Sequence, residues 1–420
     1  MADRVHALAA RGFGAAAGAY ERGRPPYPDQ AIAVLAEWLA LKPGRTVVDL
    51  AAGTGKMTRH LLPTGARVIA VEPVAEMREK LAQTAPGAEA LDGVAEDLPL
   101  ANGSVDAVVV AQAFHWFDTA PALSELHRVL ARDGRLALAY NVRDESVPWV
   151  RAMGELIERT TGGEAPSQHH GWRERVARSA LFDPLREVEL QHVHRLPIEG
   201  IVDRVASIST VATLEPDARA ELLADLRTLL ATDAATAGQD EIDLPYRTRL
   251  SLTTRRSPAP GTDGLVVSVN RNEGGVPKLP VDGARILALG LEGDHHREPP
   301  TVHGGVDRAI CLYAQEAIER VRADGHRAFP GAYGENLTLL GIDWSNLAAG
   351  ARLEVGGADG PLLELTWNAT PCQAQADWFL DGRIARISHK VHPEDARWYA
   401  RVLRPGPVAP GARIRLVPAP

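Results

Sequence analysis

From about residue 46 to 142, short apolar runs alternate with segments whose apolar positions recur at helical spacing. The runs at 46–52, 67–73, 88–94, 105–112 and 134–142 read as strands. Between them, 75–84 and 119–131 read as helices, the second with Leu123, Leu126, Val129 and Leu130 on one face. Strands alternating with helices predict an α/β doubly wound, Rossmann-like sheet. Residues 147–240 read as mainly helical apart from a strand at 185–196, with an Ala/Leu-rich helical pattern at 216–236, and 244–255 alternates as a final strand. The polar Pro- and Gly-rich stretch that follows marks a linker at 257–263, dividing a domain at 1–256 from one at 264–420. Beyond it the pattern changes to short strands, at 265–270, 309–313, 353–355 and 362–366, between Gly- and Pro-rich turns. This predicts a second domain that is mostly β and barrel-like.

The 420 residues suffice for two or three domains with separate cores, and 45% hydrophobic with 24% charged residues is the usage of a folded, water-soluble protein. With 46 Lys plus Arg against 54 Asp plus Glu, the net charge is −8, and no basic run suggests nucleic-acid binding. Cys311 and Cys372 lack CxxC spacing, so neither a disulfide framework nor a cysteine zinc site is expected. No stretch approaches the roughly 20 apolar residues of a membrane span, and the N-terminus lacks an apolar targeting core. The expected location is the reducing cytoplasm.

Candidate chemistry begins where the first strand ends, at Val48-Asp-Leu-Ala-Ala-Gly-Thr-Gly-Lys56. Glycines there let backbone approach a ligand closely, and Glu72, closing the second strand, stands where an acidic side chain binds ribose hydroxyls. Thr58 replaces the third glycine of a dinucleotide fingerprint, which argues against a pyrophosphate. Past the fourth strand lies Ala111-Gln-Ala-Phe-His-Trp-Phe-Asp118, on the edge where open α/β sheets bind ligands. With Gly93-Val-Ala-Glu-Asp-Leu-Pro99, Asp106 and Glu125-Leu-His-Arg-Val-Leu-Ala-Arg-Asp-Gly134, these motifs resemble the class I S-adenosylmethionine-dependent methyltransferases over about residues 10–256.

The resemblance implies roles. Asp49 would hold the methionine ammonium; Ala51, Gly53 and Gly55 would pass under the cofactor; Glu72 and Pro73 would border the ribose; Ala95 and Glu96 would border adenine; Gln112 and Trp116 would lie beside the methyl donor. His115 would act as a base or position a small-molecule methyl acceptor, and the Gln-Ala-Phe-His-Trp-Phe-Asp form is similar to small-molecule methyltransferases, including those acting on trans-aconitate. Tyr20 and Tyr27 would cover the cofactor or pack. Ala51 stands at the family's usual first glycine, and Val94 at a position where many members have an Asp. His169, His170, His192 and His194 read as solvated surface in preference to a metal site.

In the second half, Leu291-Glu-Gly-Asp-His-His296, Val302-His-Gly-Gly-Val-Asp-Arg-Ala309, Pro330-Gly-Ala-Tyr-Gly-Glu-Asn-Leu337 and Thr370-Pro-Cys372 resemble the MOSC domain, over about 264–420. Arg386-Ile-Ser-His389 and Arg397-Trp-Tyr-Ala-Arg-Val-Leu403 are similar to its stand-alone bacterial branch. Backbone N–H groups at His303-Gly304-Gly305, with His295, Arg308 and Asn336, suit an anion or pterin phosphate, and this reading is preferred to a zinc site on His295, His296, His303 and Asp294. The resemblance puts the reactive cysteine at Cys372, which would carry a persulfide or ligate molybdenum of a molybdenum cofactor (molybdopterin), while Cys311 reads as a buried, inert thiol. Trp367, Asn368 and Ala369 replace a run in which many relatives carry an Arg. At family level pyridoxal phosphate binding is implied as well. No desulfurase domain is present, so sulfur would come from a partner protein, and a molybdoenzyme would be a second partner. The expected function is methyl transfer joined to cofactor binding or sulfur carriage at Cys372. The alternative is a non-catalytic cofactor-binding or sulfur-carrier protein with an inactive first half; oligomeric state is not legible.

Overall fold

The structure is a computed structural model and describes residues 25–162, 171–258, 260–295 and 304–418. Tyr20, His169, His170, His296 and His303 lie outside the described residues. Two compact units are present: one holds residues up to Glu174 together with Pro184–Arg255, the other Arg175–Asp183 together with the residues from Arg256 onward. No helix among the described residues is long and apolar enough to cross a membrane.

The first unit opens with α1 (Asp29–Trp38), β1 (Thr46–Leu50), α2 (Lys56–Leu61), β2 (Arg67–Val71), α3 (Ala75–Thr84) and β3 (Glu89–Leu91). It continues with β4 (Val105–Ala111), α4 (Thr119–Val129), β5 (Leu130–Arg143), α5 (Pro148–Thr161), α6 (Trp172–Arg178) and β6 (Arg186–Pro197). Three helices, α7 (Ile198–Ala206), α8 (Ser209–Ala212) and α9 (Pro216–Thr232), precede β7 (Glu241–Thr254). The seven strands form one sheet in the order β3-β2-β1-β4-β5-β7-β6, with β1 to β5 parallel and β7 antiparallel to both neighbours.

The expected elements recur with shifted bounds. The 88–94 strand contracts to three residues, Glu89–Leu91, at the sheet edge, and the fifth strand starts at Leu130, inside the expected helix, because Leu130 already pairs with Val105. The strand order reverses between β1 and β4, so their carboxyl ends open the crevice where α/β sheets take ligands. Leu222, Leu226 and Leu230 form an i, i+4 stripe on α9 that packs with Trp149, Met153, Ile201, Val205 and Tyr246 of β7. Ile157 and Tyr246 of this small core also line the crevice.

The second unit contains β8 (Asp263–Arg271), β9 (Leu279–Val281), β10 (Ala284–Leu287), β11 (Gly290–Leu291), β12 (Ile310–Ala314), α10 (Gln315–Ala323) and β13 (Leu337–Leu340). β14 (Arg352–Val355), β15 (Leu362–Asn368), β16 (Trp398–Arg404), β17 (Gly406–Val408) and β18 (Arg413–Val417) complete it. The order β13-β12-β16-β15-β14-β18-β8 closes through a β13–β8 pairing into a seven-stranded barrel, and β9 extends β8. Within 257–263, Gly261 bridges to Ile342 and Asp263 opens β8, so part of that stretch belongs to the second unit's hydrogen bonding.

Candidate functional site

β1 is buried along most of its length and carries Asp49 into the interior at the point where the strand order reverses. Thr58, on α2, donates its hydroxyl to Asp49 Oδ2 at 2.5 Å; Oδ1 is buried and no donor among the described residues reaches it. Burial pushes the Asp49 carboxyl up to about 7, against the Thr58 hydrogen bonds, with the Glu72 charge adding to the rise. A cavity of about 50 Å³ touches Asp49, lined also by Pro25, Tyr27, Thr54 and Gln112. It is roomy enough for a bridging water. Tyr27 is buried and packs with Ala31 and Leu35 as it lines this space.

The turn after β1 is left-handed at three residues: φ is 56° at Ala51, 57° at Gly53 and 85° at Gly55. Glycine adopts this freely, whereas alanine there costs about 1–2 kcal/mol. Glu72 ties the turn down: Gly53 N–H donates to Oε2 at 2.9 Å and Val74 N–H to Oε1 at 3.0 Å. Burial pushes the Glu72 carboxyl up while these two N–H groups pull it down. Each oxygen retains a lone pair, which leaves capacity for hydroxyl donors.

A second, larger cavity of about 490 Å³ runs from this turn along the carboxyl edge of the sheet. Ala51, Gly53, Glu72, Pro73, Gly93 and Ala95 line one end. Gly93 is required by packing, since a Cβ there would lie 2.7 Å from Pro99 and 3.0 Å from Val71. Two expected cofactor residues stand elsewhere. Glu96 is not among the lining residues; its carboxylate accepts the Asp118 N–H at 2.7 Å, at the start of α4. Gly55 also stands outside this wall, and a Cβ on it would press on Thr84 and Leu81, so it serves the α2–α3 approach. Behind the loop, the buried pair Glu125–Arg128 (2.6 Å) accepts the Leu98 N–H and donates to the Leu98 and Leu100 carbonyls.

At the other end His115, on a 3-10 turn (Phe114–Trp116), places Nδ1 at 3.3 Å from Tyr140 Oη, which also accepts the His115 N–H at 3.2 Å. With the proton on Nδ1 and directed at Tyr140, Nε2 is the basic nitrogen of the imidazole. Burial pushes the Tyr140 phenol well above its ordinary value, so it remains neutral. Trp116 and Gln112 line the cavity with His115, and Gln112 Nε2 donates to the Asn141 carbonyl at 3.1 Å. Asn141 Nδ2 in turn donates to the Pro26 carbonyl at 3.1 Å, which fixes the segment leading to Tyr27. His192 and His194 are half-buried on one face of β6, contrary to a solvated surface. His192 stacks on Tyr246 at 5.6 Å, and burial pushes both imidazoles down.

In the second unit Cys372 is half-buried and caps a 3-10 turn (Gln373–Trp378); its N–H donates to Gln375 Oε1 at 3.0 Å. Gln375 Nε2 and the Arg397 guanidinium both donate to the Tyr333 carbonyl, and Arg397 Nη2 lies 3.4 Å from Gln375 Oε1. A buried cation therefore backs the cysteine turn despite the missing Arg at 367–369. Arg308 lies over the Trp367 ring at 5.3 Å, and Gly304 and Gly305 have φ of 88° and 83°. Burial pushes the Tyr399 phenol up to about 12. His295 is exposed. Asn336 faces inward: Oδ1 accepts the Cys311 N–H at 3.1 Å and Nδ2 donates to Asp294 Oδ2 at 2.8 Å, so its amide braces the barrel and is not open to an anion. Cys311 is buried and its thiol is pushed up by burial, as an inert core thiol would be. Among the described residues, the group of three with metal-binding geometry is His392, Glu394 and Asp395, and Asp395 is already paired with Arg320 and Arg386.

Comparison with known proteins adds the family. A family model for a methyltransferase domain matches residues 48–138 and one for a MOSC domain matches 299–415. Residues of this chain are 43% identical over 236 positions to the uncharacterized methyltransferase Rv3342 of Mycobacterium tuberculosis, covering 56% of this chain and 92% of that protein. The chain belongs to the methyltransferase family. An uncharacterized methyltransferase of Schizosaccharomyces pombe is 31% identical, over 53% of this chain and 89% of that protein. The MOSC half is 33% identical over 147 residues to protein YiiM of Escherichia coli, 34% of this chain and 63% of that protein. Among solved structures, geranyl diphosphate C-methyltransferase of Streptomyces coelicolor overlaps 54% of this chain and 79% of its own, with 15% identity and a TM-score of 0.32.

Sequence reasoning missed several residues of the methyltransferase cavity: Met77, Tyr140, Arg143, Trp172, Arg204 and Tyr246. Tyr140 had a signal, since it lies at the carboxyl end of the fifth strand beside the crevice. The others come from elements whose register only the fold defines.

Proposed function

We propose that the methyltransferase domain moves the methyl group of S-adenosylmethionine to a small molecule in the larger cavity, in the cytoplasm. The observation that carries this is the buried Oδ1 of Asp49, which receives no donor among the described residues, beside a left-handed turn at the point where the sheet order reverses. The residues fit the cofactor: Asp49 would take its ammonium through a water, Glu72 its ribose hydroxyls, and Pro73, Gly93 and Ala95 its adenine side. When bound, S-adenosylmethionine supplies a methyl group already activated on a sulfonium, so the chain need only align and dehydrate the acceptor. Trp116 and Tyr140 exclude water at the transfer end, and His115 Nε2 takes a proton where the acceptor has one to lose. Calorimetry should show one site for S-adenosylmethionine, weakened about tenfold or more in Asp49→Ala and Glu72→Ala; unchanged affinity in both variants would refute the reading.

For the MOSC domain we infer an anionic cofactor or sulfur site at Cys372. The thiol, Arg308 and the Gly304–Gly305 backbone suit a molybdenum-bearing pterin or a persulfide received from a partner protein. Pyridoxal phosphate does not fit: Lys278 is buried and paired with Asp294, and Lys390 is exposed. Elemental analysis of natively purified protein should find molybdenum, or mass spectrometry an added sulfur, that Cys372→Ser removes; retention of both by the variant would refute it.

A further inference from the structure

The transfer end of the larger cavity is more basic than alignment of a neutral acceptor requires. Arg143, Arg173, Arg204 and Arg249 line it, in a chain whose net charge is −8. Two of them have counter-ions: Arg249 Nε lies 2.8 Å from Glu189, and Arg173 lies 3.8 Å from Glu187 with its guanidinium stacked on Trp172. The other two are differently placed. Arg204, on α7, is 8% exposed, and its Nε and Nη1 are buried with no acceptor in reach among the described residues. Arg143 ends β5, and the carboxylate nearest to it is that of Glu145, 3.9 Å away and more than half exposed.

Two hydroxyls share this recess. Tyr246 Oη and Thr210 Oγ1 belong to residues that line the same cavity, and both are buried without a hydrogen-bond partner among the described residues. The lining carboxylates are Glu72, which belongs to the glycine turn, and Glu145 at the rim. An uncompensated buried guanidinium is costly, and so are unpaired buried hydroxyls. One ligand feature satisfies all of them: an oxyanion, whose lone pairs match the guanidinium fork and accept from both hydroxyls. Burial and the like charge of Arg204 both push the Arg143 guanidinium down, and an anion between the two would oppose both effects.

We propose that Arg204 and Arg143, with Tyr246 and Thr210, seat an oxyanion of the methyl acceptor, which is therefore a small organic acid or phosphomonoester and not a neutral molecule. The inference rests on the methyltransferase reading and adds the acceptor's chemical class. All four residues come from β5, the α7–α8 insertion and β7, outside the stretch that carries the cofactor motifs.

The test is calorimetry on the full chain saturated with S-adenosylhomocysteine, titrated with glutarate, benzoate and phenyl phosphate, and with the neutral glutaramide and benzamide. At least one anion should bind, with its neutral counterpart about tenfold weaker or worse. The relative strength of the carboxylates and the phosphate identifies which oxyanion the seat prefers. Arg204→Met should weaken that anion about tenfold or more, Arg204→Lys should recover part of it, and the affinity for S-adenosylhomocysteine should stay within about twofold in both. Equal binding of acid and amide, or no anion binding to the loaded protein, would overturn the proposal. So would a parallel loss of S-adenosylhomocysteine in Arg204→Met, which would make the oxyanion the cofactor's own carboxylate. Failure of the unaltered chain to bind S-adenosylhomocysteine would instead refute the underlying methyltransferase reading, and it is scored before any acid is added.

Discussion

Thr58 Oγ1 donates to one oxygen of the Asp49 carboxylate at 2.5 Å, while the other oxygen, also buried, receives no hydrogen bond from the described residues. Burial outweighs the Thr58 hydrogen bonds and raises the carboxyl from 3.8 to about 7. A carboxyl raised on folding favours the folded state below its unfolded value, and that contribution is lost as pH rises through the folded value. The ligand-free domain therefore loses stability on this account between about pH 4 and pH 7. An ammonium ligand needs the ionised form, so below about pH 7 S-adenosylmethionine should release a proton on binding and lose about tenfold in affinity per pH unit. Calorimetry in buffers of different ionisation enthalpy measures the proton, and Asp49→Asn should abolish its release. Proton-free binding at pH 6 by the unaltered protein would contradict the assignment.

Ala51 holds a left-handed φ of 56° where glycine would be unstrained. Ala51→Gly should therefore raise stability by up to about 1 kcal/mol, the relief being partly offset by the greater freedom of glycine in the unfolded chain. Thermal denaturation reads this directly, and a clear loss of stability would show that the alanine is not strained.

The Glu125–Arg128 pair is almost fully buried, at 0% and 4% exposure, and holds the loop through Leu98 and Leu100. Removing one partner strands a charge, so Arg128→Met should cost about 3–5 kcal/mol in denaturant unfolding. Combining it with Glu125→Gln should cost less than the sum of the two single changes. Strict additivity would mean that the pair is not coupled.

Tyr140→Phe removes the group that fixes His115 and keeps the ring that lines the cavity. The expected result is a fall of about ten- to a hundredfold in kcat with the Kd for S-adenosylmethionine unchanged within about twofold. Equal losses in both would assign Tyr140 to cofactor binding.

Cys372 is half-buried and Cys311 is buried within β12. Iodoacetamide should alkylate Cys372 in the native protein and Cys311 only on unfolding, as read by mass spectrometry of peptides. Comparable native rates would show that the Cys311 strand opens.

The glycine turn and its anchor were legible because their residues are close in sequence or follow a strand directly: Asp49, Ala51 and Gly53 lie within five positions, and Glu72 comes immediately after the neighbouring strand β2. Glu96 misled because adjacent side chains diverge, so Ala95 faces the cavity while Glu96 turns to Asp118. The acceptor seat was illegible for another reason. Arg143, Arg204 and Tyr246 are brought together only by the antiparallel pairing of β7 with β5 and by the α7 insertion, which no local pattern encodes. Likewise the sequence shows an Arg missing near Ala369, and only the backbone bond from Ala369 N–H to the Arg397 carbonyl reveals that the residue just before β16 brings another in.

Barrel closure through β13 and β8 gives each of its seven strands two neighbours, which leaves this ring no open rim for strand addition by another chain. The seven-stranded open sheet has two rims, three residues of β3 on one side and twelve of β6 on the other. β6 carries Arg186, Glu187, Glu189 and Arg195, charges of both signs that discourage an uninvited neighbour. Intermolecular mispairing at high concentration is therefore expected to start at β6, and neutralising those charges would turn a guarded rim into a template for aggregation.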